Sequence, residues 1–292
     1  MCKHLSTHGA FALVIYLSYS TYCWPIDFHQ ESQSVQETIH QVNVKSLGGS
    51  PISTSQNAQN TANHISATTE AVDRADQSIF GSQSIQNQIV ASTLSTLVAM
   101  SQTGTNTGNL LRVDHVKNSE QSFHSNNTSL PAQAITNELK ATNVTGPNRL
   151  TQDATAIGNT LYAGTATEAG QSFKGDQIIL NRFAAPTPAS QTKISQTALA
   201  IANLIQVEDA TDIEQRARGH QTLINIAGAQ DNAHSNAIQQ SQSYANLVII
   251  DGRNTQEDST NVTITQSSSM SQHSRQNSGN LSQTGNSAVV YR

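Results

Sequence analysis

What most limits the folds open to this chain is a short motif that returns along it: an apolar residue, any residue, then Gln, with an Asn seven residues further on. It reads Met100-Ser101-Gln102 with Asn109, Leu150-Thr151-Gln152 with Asn159, and Ile194-Ser195-Gln196 with Asn203. Looser copies follow. Ile213-Glu214-Gln215 leads to Thr222, and Ile238-Gln239-Gln240 leads to Asn246 after six residues instead of seven. Each second anchor opens an alternating run, as in Asn159, Leu161 and Ala163, in Thr222, Ile224 and Ile226, or in Asn246, Val248 and Ile250. Residues at that spacing share one face of a strand. The last copy, "LSQTGNSAVVYR", carries Leu281 and Gln283 through Thr284-Gly285 to Asn286, Ala288 and Val290, which reads as a hairpin over 281–292.

A helix competes for one copy. In "ISQTALAIANLIQV" (194–207), Ala198, Ile201, Ala202 and Ile205 also fall at the i, i+3, i+4, i+7 spacing of an amphipathic helix. The sibling "MSQTGTNTGNLLRV" keeps the anchors but fills the segment between them with Thr and Gly, which are poor helix residues. In "LTQDATAIGNTLYA" Gly158 directly precedes Asn159. The siblings favour the strand.

Spacing adds register. Gln83 to Gln102, Gln102 to Gln121, Gln152 to Gln171 and Gln196 to Gln215 are each 19 residues apart, and Gln171 to Gln196 and Gln215 to Gln240 are each 25. A two-strand unit of that length cannot bury its own apolar face, so it must stack on its neighbours. Composition agrees. Gln, Asn, Ser and Thr make up 121 of the 292 residues, whereas charged residues are 12% and aromatics 4%. Such a chain lacks the side chains of a conventional core, but amides can hydrogen-bond from layer to layer while Ile, Val, Leu and Ala fill a narrow interior. The expected fold is all-β: a β-solenoid, a parallel β-helix-like stack of strand-turn-strand repeats of about 19–25 residues. One unit per layer would give ten or eleven layers and a rod of roughly 50 Å. The expected ladder amides are Gln102, Asn109, Gln152, Asn159, Gln196, Asn203, Gln215, Gln240, Asn246, Gln283 and Asn286.

The remaining segments are placed around that stack. Residues 1–20, with Lys3 and His4 ahead of an apolar run from Gly9 to Leu17, have the layout of a cleaved signal peptide, and the run is too short to span a bilayer. Residues 21–78 are polar and weakly patterned, with Gln56 as the start of an early rung or the whole as a flexible or partly helical lead, and the repeat domain is expected over 79–292. "IQNQIVASTLSTLVAM" (85–100) reads as a short helix or a buried strand pair that caps the stack. "FAAPTPASQ" (183–191) reads as a loop, and "SSSMSQHSRQNSG" (267–279) as a loop or a disordered link.

Chemistry is conspicuous by what is missing. There is no GxSxG, Walker loop, GxGxxG, HExxH or DxDxDG spacing, and removal of the signal would leave Cys23 alone. The sequence therefore predicts no enzyme, no cofactor, no metal site and no disulfide. A net charge of −5, with no basic run, argues against nucleic acid. Arg216 and Arg218, close to Glu208, Asp209, Asp212 and Glu214, are by default surface ion pairs, with a recognition patch as the alternative. Tyr162 and Tyr244 are expected to point outward, where isolated exposed aromatics by default carry no role and contact with a sugar or a neighbouring subunit is the alternative.

The unit resembles the repeat of curlins and other secreted functional-amyloid subunits, through "SQTGNSAVV" (282–290) and "MSQTGTNTGN" (100–109). The Gln-anchored, Ser/Thr-rich chain is also similar in style to the proteins that anchor the holdfast adhesin of stalked bacteria. The resemblance covers roughly residues 80–292 and departs from curlins in its long irregular arcs, sparse Gly and mixed 19- and 25-residue gaps. It implies an exported structural protein on the bacterial outer surface or outside the cell. The implied task is attachment, with polysaccharide or other surface adhesins as partners, and with no membrane span after signal removal. A polymerising curlin-type subunit and a glycan-binding fibre or tail protein are the alternatives.

Overall fold

A computed structural model describes residues 4–8, 14–16, 26–33, 35–47, 52–95, 98–125, 130–185, 192–228, 237–251, 263–276 and 280–291. Among them there is no helix, and the strands follow one another as β1 (His4–His8), β2 (Val14–Tyr16), β3 (Ile26–Ser32), β4 (Val35–Leu47), β5 (Ile52–Phe80), β6 (Ser82–Leu94), β7 (Val98–His124), β8 (Gln133–Val144), β9 (Arg149–Lys174), β10 (Gln177–Ala184), β11 (Lys193–Ala227), β12 (Ala237–Asp251), β13 (Thr263–Gln276) and β14 (Asn280–Tyr291). Every strand pairing is parallel. The chain is an all-β solenoid.

One turn of this solenoid holds two of the Gln-anchored units. Gln102 stacks on Gln152, 50 residues later, and Gln152 on Gln196 after 44 more, while Gln121 stacks separately on Gln171. The 19-residue spacing is thus the path from one wall of a turn to another, not the rise of a layer. This corrects the layer count: β5 with β6, β7 with β8, β9 with β10, the whole of β11, and β12 with β13 are successive turns, preceded by β3 with β4. Six such turns at about 4.8 Å each make a stack of about 30 Å.

In β11, the longest strand, one complete turn can be followed. A first wall runs over 193–201 and a second over 203–207, a third returns over 212–218, and a fourth runs over 221–227. The corner between the first and second walls, where the ladder skips a residue, is always small: Ala62, Gly108, Gly158, Ala202, Ala245 and Gly285. At the corner between the third and fourth walls Gly175 and Gly219 stack in left-handed backbone (φ 147° and 139°), and a Cβ on Gly219 would lie 2.0 Å from the Gly175 carbonyl oxygen. Only Gly fits both the conformation and the contact.

The interior packs as four apolar clusters, two of which lie between facing walls as thin slabs. Leu111, Leu161, Ile205 and Val248 of the second wall face Ala75, Ala169 and Ile213 of the third. Ala154, Ala156, Ala198 and Ala200 of the first wall face Ile135, Ile179 and Leu223 of the fourth. Small residues oppose large ones, which keeps the walls close.

Several expectations for single segments change. The described residues of 85–100 contain no helix; they divide between β6 and the start of β7, in successive turns. The lead before residue 79 is in part solenoid, since β3, β4 and β5 carry Gln30, Gln36 and Gln56 into the stack. Residues 267–276 lie within β13, and 280–291 form one strand parallel to β12 instead of a hairpin. Gly285 there occupies the same small corner as Ala245, so it bends the strand and does not reverse it. The loop expected at 183–191 is described only to Ala185, β10 ending at Ala184. Most of the expected signal segment lies outside the described residues; within it the backbone of β1 pairs with β3, and that of β2 with β5.

Candidate functional site

Five columns of amides run through the interior. The first wall carries Gln56, Gln102, Gln152, Gln196 and Gln239, linked amide to amide at 2.8, 2.7, 2.7 and 2.5 Å. The second carries Asn63, Asn109, Asn159, Asn203, Asn246 and Asn286 at 2.7–2.9 Å. The third carries Gln30, Gln77, Gln121, Gln171, Gln215 and Gln266. The fourth carries two, Gln36, Gln83, Gln133, Gln177, Gln221 and Gln272, and beside them Asn87, Asn137, Asn181 and Asn225.

The columns have opposite polarity. Each Gln donates its Nε2–H to the Gln of the turn before, as Gln171 does to Gln121 Oε1, whereas each Asn donates its Nδ2–H to the Asn of the turn after, as Asn159 does to Asn203 Oδ1. The second amide proton fixes these orientations, because only an NH2 can donate to the carbonyls across the turn. Asn159 donates it to Ser172 O, Gln171 to Leu204 O, Gln177 to Ile201 O and Asn181 to Thr197 O. One Gln therefore ties three turns together: Gln171 reaches Gln121 below and Leu204 above. Three Gln columns and two Asn columns thus run with opposed dipoles, which offset most of each other's field along the buried stack.

Nine of the eleven expected ladder amides stand in these columns; the other two do not. Gln240 is exposed, and Gln239 takes its place against Gln196 because Ala237, not Ile238, aligns with Ile194. The one-residue slip turns Ile238 outward, 64% exposed, and the six-residue gap to Asn246 was its mark in the sequence. Gln283 aligns with Ser243 and is exposed, since β14 begins too late to reach the first Gln column. The same period-two slip reverses the fourth wall, where Gln221, Leu223 and Asn225 face inward and Thr222, Ile224 and Ile226 face outward. That wall was missed as a motif although it is written plainly as Gln-x-apolar-x-Asn: "QSIQN" at 83, "QAITN" at 133, "QIILN" at 177 and "QTLIN" at 221.

The outer face is wide and shallow. On the second wall Tyr162 points outward between Arg112 and Gln206 of the adjacent turns, with the Arg112 guanidinium 5.6 Å from its ring centre. Tyr244 instead lies in line with Ile201 beside the first corner and is partly buried. Arg216 is paired with Glu214 as expected of the surface, and Arg218 forms no ion pair among the described residues. His64 and His124 both have pKa values below the ordinary histidine value, first through burial and then through Arg112 and Lys174 respectively. Among the described residues no three His, Cys, Asp or Glu side chains are grouped to hold a metal ion, and no helix is long and apolar enough to cross a membrane. No family model, curated protein or solved structure matches the chain.

Proposed function

We propose that this chain is an exported, non-enzymatic structural protein of the bacterial cell surface, which anchors an adhesive polysaccharide or matrix. The observation that carries the reading is the division of labour in each turn. The buried amides hold one rigid stack together, while the outward residues recur in axial columns one turn apart, such as Arg112, Tyr162 and Gln206. A rigid surface with repeated weak contacts holds a polymer through many sites at once, although each contact alone is feeble. Polysaccharide and other surface adhesins are the partners that suit it. Deleting the gene in its source cell should abolish surface adhesion, and the protein should be recovered at the envelope of the parent strain. Unchanged adhesion in the deletion strain would overturn the proposal.

Self-association is the second reading, favoured by the two ends of the columns. Gln columns donate towards earlier turns throughout and Asn columns towards later ones, so the polarity with which one copy ends is the polarity with which a following copy would continue. A second copy stacked head to tail would meet matching donors and acceptors, and loss of residues 1–20 would remove β1 from the edge of β3. Seeded, thioflavin-positive fibre growth from the chain lacking 1–20 is the expected result, and a persistently monomeric chain would exclude polymerisation.

A further inference from the structure

The third wall shows outward columns of two opposite characters. Towards its start, Glu168 aligns with Asp212, and Asp76 with Glu120. Towards its end, His124 aligns with Lys174 and Lys174 with Arg218, so two cations lie directly over one another with an imidazole beside them. Like charges facing each other across adjacent strands cost energy, and neither Lys174 nor Arg218 has an ion-pair partner among the described residues. Six residues of strand separate Lys174 from Glu168 and Arg218 from Asp212. That is about 20 Å, roughly two Debye lengths at physiological salt, and two nearer carboxylates are engaged elsewhere, Glu214 by Arg216 and Asp176 by the His220 backbone N–H.

Beside the basic column the surface dips into a shallow groove. Its walls are His124, Lys174, Arg216 and Arg218 together with the Ser172, Ser267 and Ser269 hydroxyls, and no carboxylate lines it. Fixed cations with hydroxyl donors and no competing acid are what an anion needs. The spacing selects the kind of anion. The two cations, Lys174 and Arg218, stand one turn apart, about 4.8 Å, in a single file flanked by His124 and Ser269. Duplex DNA carries a charge about every 1.7 Å and rewards a broad basic field, which a chain with a net charge of −5 does not provide. A linear polyuronate presents one carboxylate per sugar ring, at a repeat of the same order as the rise of the turns, and hydroxyls for the serines.

We propose that the His124–Lys174–Arg218 column and its serine-lined groove are a docking rail for a carboxylate-bearing polysaccharide that lies parallel to the solenoid axis. The proposal rests on the surface-attachment reading and names its polymer class. Successive carboxylates meet successive turns, Arg218 and Lys174 carry the charge-assisted hydrogen bonds, and Arg216, already held by Glu214, borders the groove.

The test is binding of the full chain to immobilised polygalacturonate and to a neutral glucan, with circular dichroism on each variant to verify the fold. The parent should bind polygalacturonate selectively, and added salt should weaken that binding. The Lys174→Gln/Arg218→Gln double variant should lose roughly tenfold or more. Lys174→Arg/Arg218→Lys should retain binding, and Lys117→Gln/Lys140→Gln, elsewhere on the surface, should match the parent. Equal binding by the Gln double variant, no preference over the neutral glucan, or binding of single-stranded DNA at least as tight would each overturn the rail. If the parent holds only the neutral glucan, the rail fails and the attachment reading stands. If adhesion survives deletion of the gene, the attachment reading fails whatever the polymer.

Discussion

Gly158 and Phe173 occupy one space: a Cβ added to Gly158 would lie 2.3 Å from Phe173 Cδ2 and 2.5 Å from the Ala202 carbonyl oxygen of the next turn. The relationship recurs one turn earlier, where a Cβ on Gly108 would meet Phe123 Cδ1 at 2.5 Å. One turn later the corner is Ala202, and the residue aligned with Phe173 is Ala217. Two turns before Gly158 it is Ala62, with Ile79 aligned with Phe123. Corner and facing residue exchange volume between turns of a single chain.

Gly158→Ala should accordingly cost about 2 kcal/mol as an overpacked contact, and Phe173→Ala about 3–5 kcal/mol as a cavity. The double variant recreates the Ala202 and Ala217 pair. It should lose at least about 1 kcal/mol less than the sum of the two, a coupling that denaturant midpoints of the four proteins would measure. Simple additivity would show that the two residues are independent.

The amide columns make a second, sharper demand. Gln152 is fully buried, donates to Gln102 Oε1 and Asn137 O, and accepts from Gln196. Gln152→Leu removes one member and leaves partners on both sides unsatisfied, a loss of about 3 kcal/mol. Gln240→Leu, at the exposed position of the same motif, should stay within about 0.5 kcal/mol. Comparable unfolding midpoints for the two variants would refute the register in which Gln239 is the ladder residue.

One column ends on an unmet acceptor. Asn87 Oδ1 is buried without a hydrogen-bond partner, because Asn columns donate towards later turns and the residue stacked beneath Asn87 is His40. His40→Asn would extend the column downward and supply the missing Nδ2–H. It should raise stability by about 1 kcal/mol, read as a higher thermal midpoint; a lower one would mean that the column polarity does not reach the first turn.

Acid should loosen the stack. His64 and His124 are harder to protonate in the folded chain than in the unfolded one, so below the ordinary histidine pKa the unfolded state binds more protons. Stability is therefore full above about pH 6.5 and is lost as pH falls through the lowered folded values. The His64→Gln/His124→Gln double variant should flatten the dependence of the thermal midpoint on pH between about 7 and 5. An unchanged slope would assign the acid sensitivity to other groups.

Much of the interior was written in the sequence. Gln102, Asn109, Gln152, Asn159, Gln196 and Asn203 repeat with their apolar neighbours because a stacked strand admits one residue type at each inward position, turn after turn. The strand reading of 194–207 held against its helical face for the same reason, since the siblings of that stretch must share its conformation to stack on it. The errors fell where the alternation is ambiguous by one residue. At Ile238-Gln239-Gln240 two Gln compete for one position, and at Thr222, Ile224 and Ile226 apolar residues stand on the outer face.

By itself, then, the sequence determined that the chain stacks and which amides form most of the first two columns, because those properties depend on local alternation and on likeness between copies. How many units close one turn was decided only in three dimensions. A 19-residue step can end a layer or cross from wall to wall, and the choice lies with the small corners at Gly108, Gly158 and Ala202 and with the Gly175 and Gly219 stack. Tertiary packing also set the polarity of the columns. An amide can donate in either direction along a stack until its second proton finds a carbonyl across the turn, and that partner, Ser172 for Asn159 or Leu204 for Gln171, is distant in sequence.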